Sequence, residues 1–98
     1  MIMGSRKPEL TEPIPFRFFK NRRKDVIAVT LQTYTPDGGD AINVVDVRLF
    51  AINRHGANVP TPKGVSMSVN RLRDLHEAVG KALRKAEELG LLNGEDAE

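Results

Sequence analysis

Hydrophobic and polar residues alternate along two stretches in the first half of the chain. Residues 25–34 place Ile27, Val29 and Leu31 on one side of an extended chain and mostly polar residues on the other. Residues 41–53 repeat the alternation, with Val45, Val47, Leu49 and Ala51 on one side and Val44, Asp46, Arg48, Phe50 and Ile52 on the other. Between them, residues 35–40 combine a proline with two glycines, which is typical of a tight turn. The pattern predicts a β-hairpin.

Two shorter strands are expected after this hairpin. Residues 53–56 end in glycine and predict a second turn. Residues 59–62 contain two prolines, which donate no hydrogen bond to a sheet, so this segment is expected to be an edge or bent strand. Residues 65–67 form a short last strand. Before the hairpin, residues 1–13 predict a flexible leader, while residues 16–19 fit either a short strand or an ordered arm.

The remaining pattern has the period of a helix. Ser68 is a suitable N-cap, residues 69–89 form the helix, and Gly90 is its C-cap. Apolar residues recur at spacings of three and four and form a narrow seam: Leu72, Leu75, Val79, Ala82, Ala86 and Leu89. Part of this seam is expected to pack on one face of the chain's own sheet. At roughly 32 Å the helix exceeds what a short sheet covers, so the surplus predicts a second copy. The predicted dimer interface contains Leu75, Val79, Ala82, Leu83 and Ala86.

The order of elements predicts an α+β fold in which a four-stranded antiparallel sheet is followed by one C-terminal helix, in a dimer. Residues 1–24 are interpreted as a flexible basic arm, residues 25–92 as the domain, and residues 93–98 as a disordered acidic tail. A chain of 98 residues buries only a modest core. This limit also favours a homodimer.

Charge is unevenly distributed along the chain. Residues 1–24 hold seven basic and two acidic residues, a net +5, whereas the rest holds eight basic and eleven acidic residues, a net −3. Cationic side chains that bind a phosphate backbone release condensed counterions, so the arm suits nucleic acid. The alternative is a solvated tail that only aids solubility.

Other function classes receive little support. The chain has no cysteine, which excludes disulfides, thiolate zinc sites and cysteine nucleophiles, and is compatible with a reducing cytosol. No apolar run has the length of a membrane span or signal peptide, which favours a cytoplasmic protein without a membrane partner. His55 and His76 have no second ligand at metal spacing. We therefore expect no catalytic residue, no metal and no cofactor.

One face of the predicted sheet carries residues that suit single-stranded nucleic acid. Thr30, Gln32, Tyr34, Arg48 and Phe50 share it and combine aromatic rings, hydrogen-bonding groups and a guanidinium. Exposed bases stack on aromatic rings while cations follow the phosphates. The alternative is that Tyr34 and Phe50 form a minor cluster beneath the N-terminal arm.

Residues 45–75, VDVRLFAINRHGANVPTPKGVSMSVNRLRDL, resemble the core of the transcriptional positive-cofactor-four coactivators, a family that binds single-stranded DNA. The shared features are a V-D-V-R strand, an aromatic residue two positions on, a turn ending in glycine, a proline-containing link, K-G-V-S-M and a helix. The resemblance implies a strongly curved four-stranded sheet, dimerisation through the helices, and channels for single strands. It also implies DNA contacts by Arg48, Phe50 and Lys63.

The predicted function is sequence-nonspecific binding of single-stranded DNA by a homodimer, in transcription, replication or repair. The alternative is a small dimeric protein-interaction adaptor without a nucleic-acid role. RNA and melted duplex DNA are further candidate ligands, and transcription or repair proteins are candidate partners. The location would be the nucleoid in a bacterium or the nucleus in a eukaryote. The candidate nucleic-acid-binding residues are Arg48, Phe50, Lys63, Tyr34, Gln32, Arg17, Lys20, Arg22, Arg23, Lys24 and Arg54.

Overall fold

A computed structural model of the chain describes residues 8–92. Four strands precede a helix: β1 (Ile14–Phe19), β2 (Val26–Tyr34), β3 (Ile42–Ile52) and β4 (Asn58–Ser68). A 3₁₀ turn, Val69–Arg71, leads into the helix α1 (Leu72–Glu88). The strands form one antiparallel sheet in the order β1-β2-β3-β4, so each strand pairs with its neighbour in sequence. The predicted α+β arrangement of four antiparallel strands and a C-terminal helix is confirmed.

The four strands are not the four that the pattern predicts. β1 lies inside residues 1–24, so the assignment of a flexible arm is wrong for Ile14–Phe19, which pair with Val26–Leu31. Residues 8–13 have no regular structure, but the Leu10 amide donates to Thr33 Oγ1 at 2.8 Å and holds this segment against the sheet. The predicted strands at 59–62 and 65–67 are two parts of β4. The predicted tail, residues 93–98, and the leader before residue 8 lie outside the described residues.

The bend that the prolines predict in β4 is present at the sheet edge. Pairing with β3 shifts register between Arg48 and Phe50, whose partners are Gly64 and Pro60, so residues 61–63 bulge opposite Leu49. Inside the bulge, Thr61 Oγ1 donates to the Leu49 carbonyl oxygen at 2.8 Å. This edge position allows the prolines to lack amide donors without breaking an inner ladder.

The register divides the side chains between two faces, because directly opposed residues point to the same side of a sheet. One side, the apolar face, carries mostly aliphatic and aromatic residues: Phe16, Phe18, Ile27, Val29, Leu31, Val45, Val47, Leu49, Val65 and Met67. The other side, the polar face, carries Arg17, Phe19, Thr30, Gln32, Tyr34, Asp46, Arg48, Phe50 and Ser66. The face assignments predicted for β2 and β3 are confirmed.

Capping fixes both ends of the helical segment. Ser68 Oγ accepts the Asn70 amide at 3.1 Å, as expected of the N-cap, although the first turn is 3₁₀ rather than α-helical. At the other end, Gly90 has a φ of 71°, which favours glycine. The Leu91 amide donates to the Ala86 carbonyl at 2.8 Å and the Gly90 amide to the Glu87 carbonyl at 3.1 Å. This pair of bonds is a Schellman motif, so the predicted C-cap is confirmed.

The helix extends away from its own sheet. All of α1 lies in the described part of the chain, and none of its residues is buried; Val79 and Leu83 are 58% and 50% exposed. The molecule is flat, 56 × 40 × 17 Å, and its radius of gyration is 17.1 Å, against about 13 Å for a compact chain of this length. The expectation that the seam packs on its own sheet is therefore wrong beyond the first helical turn, where Leu72 and Leu75 are half-buried.

Candidate nucleic-acid interface

The polar face is organised in rows that cross the sheet, because paired residues on four strands lie side by side. The aromatic row contains Phe19, Val26, Phe50 and Pro60. The arginine row beside it contains Arg17, Ala28, Arg48 and Gly64, and the hydroxyl row contains Pro15, Thr30, Asp46 and Ser66. Gln32 and then Tyr34 follow along β2. Each row thus places one kind of chemistry across the face.

An open groove of about 410 Å³ crosses these rows. Its lining comes from β1 and the residue before it, and from β2, β3 and β4: Pro13, Pro15, Arg17, Thr30, Gln32, Asp46, Arg48, Phe50 and Pro60. Ala28, at the centre of the arginine row, is only 1% exposed.

Arg48 is held by an extensive hydrogen-bond network. Its Nε and one terminal nitrogen donate to the two carboxylate oxygens of Asp46 at 3.0 and 2.9 Å, and its other terminal nitrogen donates to the Thr61 carbonyl at 2.9 Å. Ser66 Oγ donates to Asp46 at 2.6 Å. The bonds from Arg48, and next from Ser66, hold the pKa of the Asp46 carboxyl below its usual range despite its burial.

Gly64 makes this network possible. A Cβ on Gly64 would lie 2.7 Å from the Val47 carbonyl oxygen and 2.8 Å from the Arg48 guanidinium carbon. The absence of a side chain lets the guanidinium lie against the backbone of β4. Within the lysine-glycine pair at 63–64, the glycine therefore leaves room for the Arg48 guanidinium.

The turn between β1 and β2 presents a run of cations. This cationic turn is residues 20–24, and it is closed by the Lys24 amide donating to the Asn21 carbonyl at 3.1 Å. Asn21, 7% exposed, donates from Nδ2 to an Asp25 carboxylate oxygen at 3.1 Å and accepts the Asp25 amide at 3.2 Å. The bond from Asn21 is the main reason that the pKa of Asp25 is lowered. Lys24 has a φ of 70°, unusual for a residue other than glycine.

A second turn lies at the same end of the sheet, because the strands are antiparallel. In residues 53–56, Asn53 Oδ1 accepts the His55 and Ala57 amides at 2.9 and 3.0 Å, and Gly56 has a φ of 83°. After Asn21, the Ile52 backbone also lowers the pKa of Asp25, as expected for a cationic turn that lies beside the end of β3. Asp37 and Asp40 lie in the turn at the opposite end. Arg54 and the cationic turn therefore share a basic end, distant from the acidic one.

The structure brings together only part of the predicted site. Arg17, Gln32, Arg48 and Phe50 line the groove. The predicted residues of the basic end lie beyond the aromatic row: Lys20, Arg22, Arg23, Lys24 and Arg54. Tyr34 shares the polar face but does not line the groove, and Lys63 is exposed in the bulge of β4. Lys63 is thus separate from the groove.

Sequence reasoning missed three residues of this surface. Phe19 lies in the aromatic row and is 66% exposed. The alternation of Pro15, Arg17 and Phe19 places Phe19 on the polar face, but this can be concluded only once the segment is known to be a strand. Asn21 and Asp25 shape the cationic turn through side-chain bonds. The spacing of an amide and a carboxylate four residues apart is too common to have indicated them.

No protein-family model matches the chain, and neither a curated protein nor a solved structure matches it. The resemblance carried by residues 45–75 stays a prediction. Among residues 8–92, no helix is long and apolar enough to cross a membrane. The same part of the chain contains no group of three or more histidine, cysteine, aspartate or glutamate side chains placed to hold a metal ion.

Proposed function

We propose that the chain binds single-stranded DNA on its polar face, as a homodimer acting in transcription, replication or repair. The observation that carries the proposal is the position of the groove. It begins at a row containing two aromatic rings, crosses hydrogen-bonding side chains, and lies next to a basic end built from two turns. Residues suited to stacking, hydrogen bonding and phosphate attraction thus lie next to one another on one surface.

The physical requirements of a single strand match this arrangement. Phe19 and Phe50 lie two strand spacings apart, about 10 Å between their backbones, and each offers a ring to an unpaired base. Stacking of a base on such a ring contributes about 1–3 kcal/mol and tolerates any base. Reading duplex DNA requires a protruding helix or ribbon that enters a groove, and the polar face is itself indented. A splayed single strand fits it better than a duplex.

The homodimer is supported by the unpartnered helix. Beyond its first turn the helix, about 25 Å long, exposes the large apolar residues Val79, Leu83 and Leu89, and among the described residues only Val26, Ala28 and Val45 are buried hydrophobic residues. A second copy would cover apolar surface that one copy leaves in water. The predicted interface residues Leu75, Val79, Ala82, Leu83 and Ala86 all lie on this helix.

Two adjacent phenylalanines allow a matched test of the binding face. Phe19 lies on the polar face and Phe18 on the apolar face, with exposures of 66% and 59%. We expect Phe19→Ala to weaken binding of fluorescent oligo-dT about 5- to 150-fold, equivalent to one lost stacking contact of 1–3 kcal/mol, at low and high salt alike. Phe18→Ala should leave the affinity within twofold. Fluorescence anisotropy, on samples matched for sedimentation mass, measures both.

The same titration separates this function from a protein-interaction adaptor. A wild-type chain that binds oligo-dT with a steep dependence of log affinity on log salt concentration supports the proposal. No binding at micromolar concentration and low salt would contradict it and favour the adaptor. Competition by single-stranded RNA and by duplex DNA then ranks the ligands, since only RNA carries a 2′-hydroxyl.

A further inference from the structure

Two arginines lie on the same row of the polar face but differ in their charge environment. The side chain of Arg17, on β1, makes no ion pair or hydrogen bond with another described residue and is exposed. Arg48, on β3, is paired with Asp46 through both carboxylate oxygens, and its side chain is 25% exposed. Both line the groove. The same residue type therefore provides a net charge at one wall and a neutralised pair at the other.

The hydrogen-bonding capacity of Arg48 is only partly used. A guanidinium has five N–H donors, and among the described residues three of them are satisfied, two by Asp46 and one by the Thr61 carbonyl. Asp46 Oδ2 accepts one bond from Arg48, while Oδ1 accepts from Arg48 and Ser66. Donors and an acceptor therefore remain side by side at the groove wall, next to Thr30 and Gln32.

Resting on the proposed function, we infer that the Asp46–Arg48 pair is a subsite for the edge of a nucleobase and that Asp46 prevents Arg48 from acting as a phosphate ligand. Base edges present donors and acceptors together, which matches a paired carboxylate and guanidinium. A phosphate presents only acceptors and a negative charge, so the Asp46 carboxylate repels it. Phosphates are then bound by Arg17 and the basic end, and bases by the groove wall.

Variants at Arg17 and at the Asp46–Arg48 pair should differ in how strongly their DNA affinity depends on salt. For a single strand, each phosphate contact contributes about 0.7 to the slope of log affinity against log salt. We expect Arg17→Gln to flatten that slope by about 0.7 and to weaken binding of oligo-dT and of an abasic strand of equal length alike. The double variant Asp46→Asn with Arg48→Gln, which removes both charges of the pair, should leave the slope unchanged and weaken binding of oligo-dT alone. Asp46→Asn should steepen the slope by about 0.7 and strengthen binding of the abasic strand.

The opposite pattern would overturn the inference. If this double variant flattens the slope as Arg17→Gln does and weakens both strands equally, Arg48 is a phosphate ligand and the subsite does not exist. If the wild-type chain binds neither strand, the proposed function fails as well, so the two failures are distinguishable. Melting by circular dichroism checks each variant. Arg48→Gln alone would leave Asp46 as an unpaired carboxylate that itself repels phosphates, so the double variant is the one that tests the subsite.

Discussion

Asp46 organises more of the polar face than any other single residue described here. It is 9% exposed, accepts three hydrogen bonds from Arg48 and Ser66, and so connects β3 to β4. A carboxylate this buried is stable only when it is paired and hydrogen-bonded. The ionised form is favoured because Arg48 lowers its pKa. Removal of either partner would therefore change both the sheet and the charge of the groove.

Gly64 gives the sharpest test at the scale of one residue. We expect Gly64→Ala to destabilise the fold by about 1–3 kcal/mol, because the added methyl group would collide with the Val47 carbonyl and with the Arg48 guanidinium. Gly80→Ala is the matched control. Its Cβ would meet only Arg84, at 3.6 Å, and alanine favours a helix, so this change should stabilise by about 0.5–1 kcal/mol. Urea unfolding measures both, and equal effects would contradict the close approach.

At the scale of elements, β1 is the strand that the alternation pattern did not identify as such. It has six residues with a proline at the second position, and it leads directly into the cationic turn. Sequence alone cannot assign so short an apolar run, because its pairing partner lies across a turn whose shape depends on Asn21 and Asp25. The hairpin of β2 and β3 was predictable because its alternation is long and its turn contains proline and glycine.

Truncation tests the contribution of β1. Deletion of residues 1–24 removes the strand paired with β2 and also the Asn21 bonds to Asp25. We expect this deletion to lower the melting temperature by more than 10 °C or to prevent folding, because the ladder of β2 would be exposed along a new edge. A fully stable chain after this deletion would show that the sheet needs only three strands.

The site was predictable to the extent that it follows from alternation. Gln32, Arg48 and Phe50 were assigned to one face because side chains on a strand point alternately to opposite sides. The support of the Asp46–Arg48 pair was not predictable, since it depends on Ser66, Thr61 and Gly64 on another strand. Lys63 was assigned by resemblance, and the bulge of β4 places it outside the groove.

At the scale of the whole molecule, the strands separate charge by distance. The basic end holds the cationic turn and Arg54, while the opposite end holds Asp37 and Asp40 and the start of the helix. β3 alone has eleven residues, which corresponds to more than 30 Å between the ends. Exposed charges this far apart are screened from each other at physiological salt. A bound strand would therefore meet its strongest attraction at the basic end.

The helix seam gives the last prediction, which concerns assembly. Val79 lies at the centre of the seam, so Val79→Asp would place an unpaired carboxylate in an apolar interface and should convert the dimer to monomer at micromolar concentration. Arg84 provides the control, because at 100° per residue it lies about 140° around the helix from Val79 and away from the seam. Arg84→Asp should leave the mass unchanged. Analytical ultracentrifugation measures the mass of the wild type and of both variants. A wild-type mass of one chain would contradict the dimer and leave the exposed seam for a different partner.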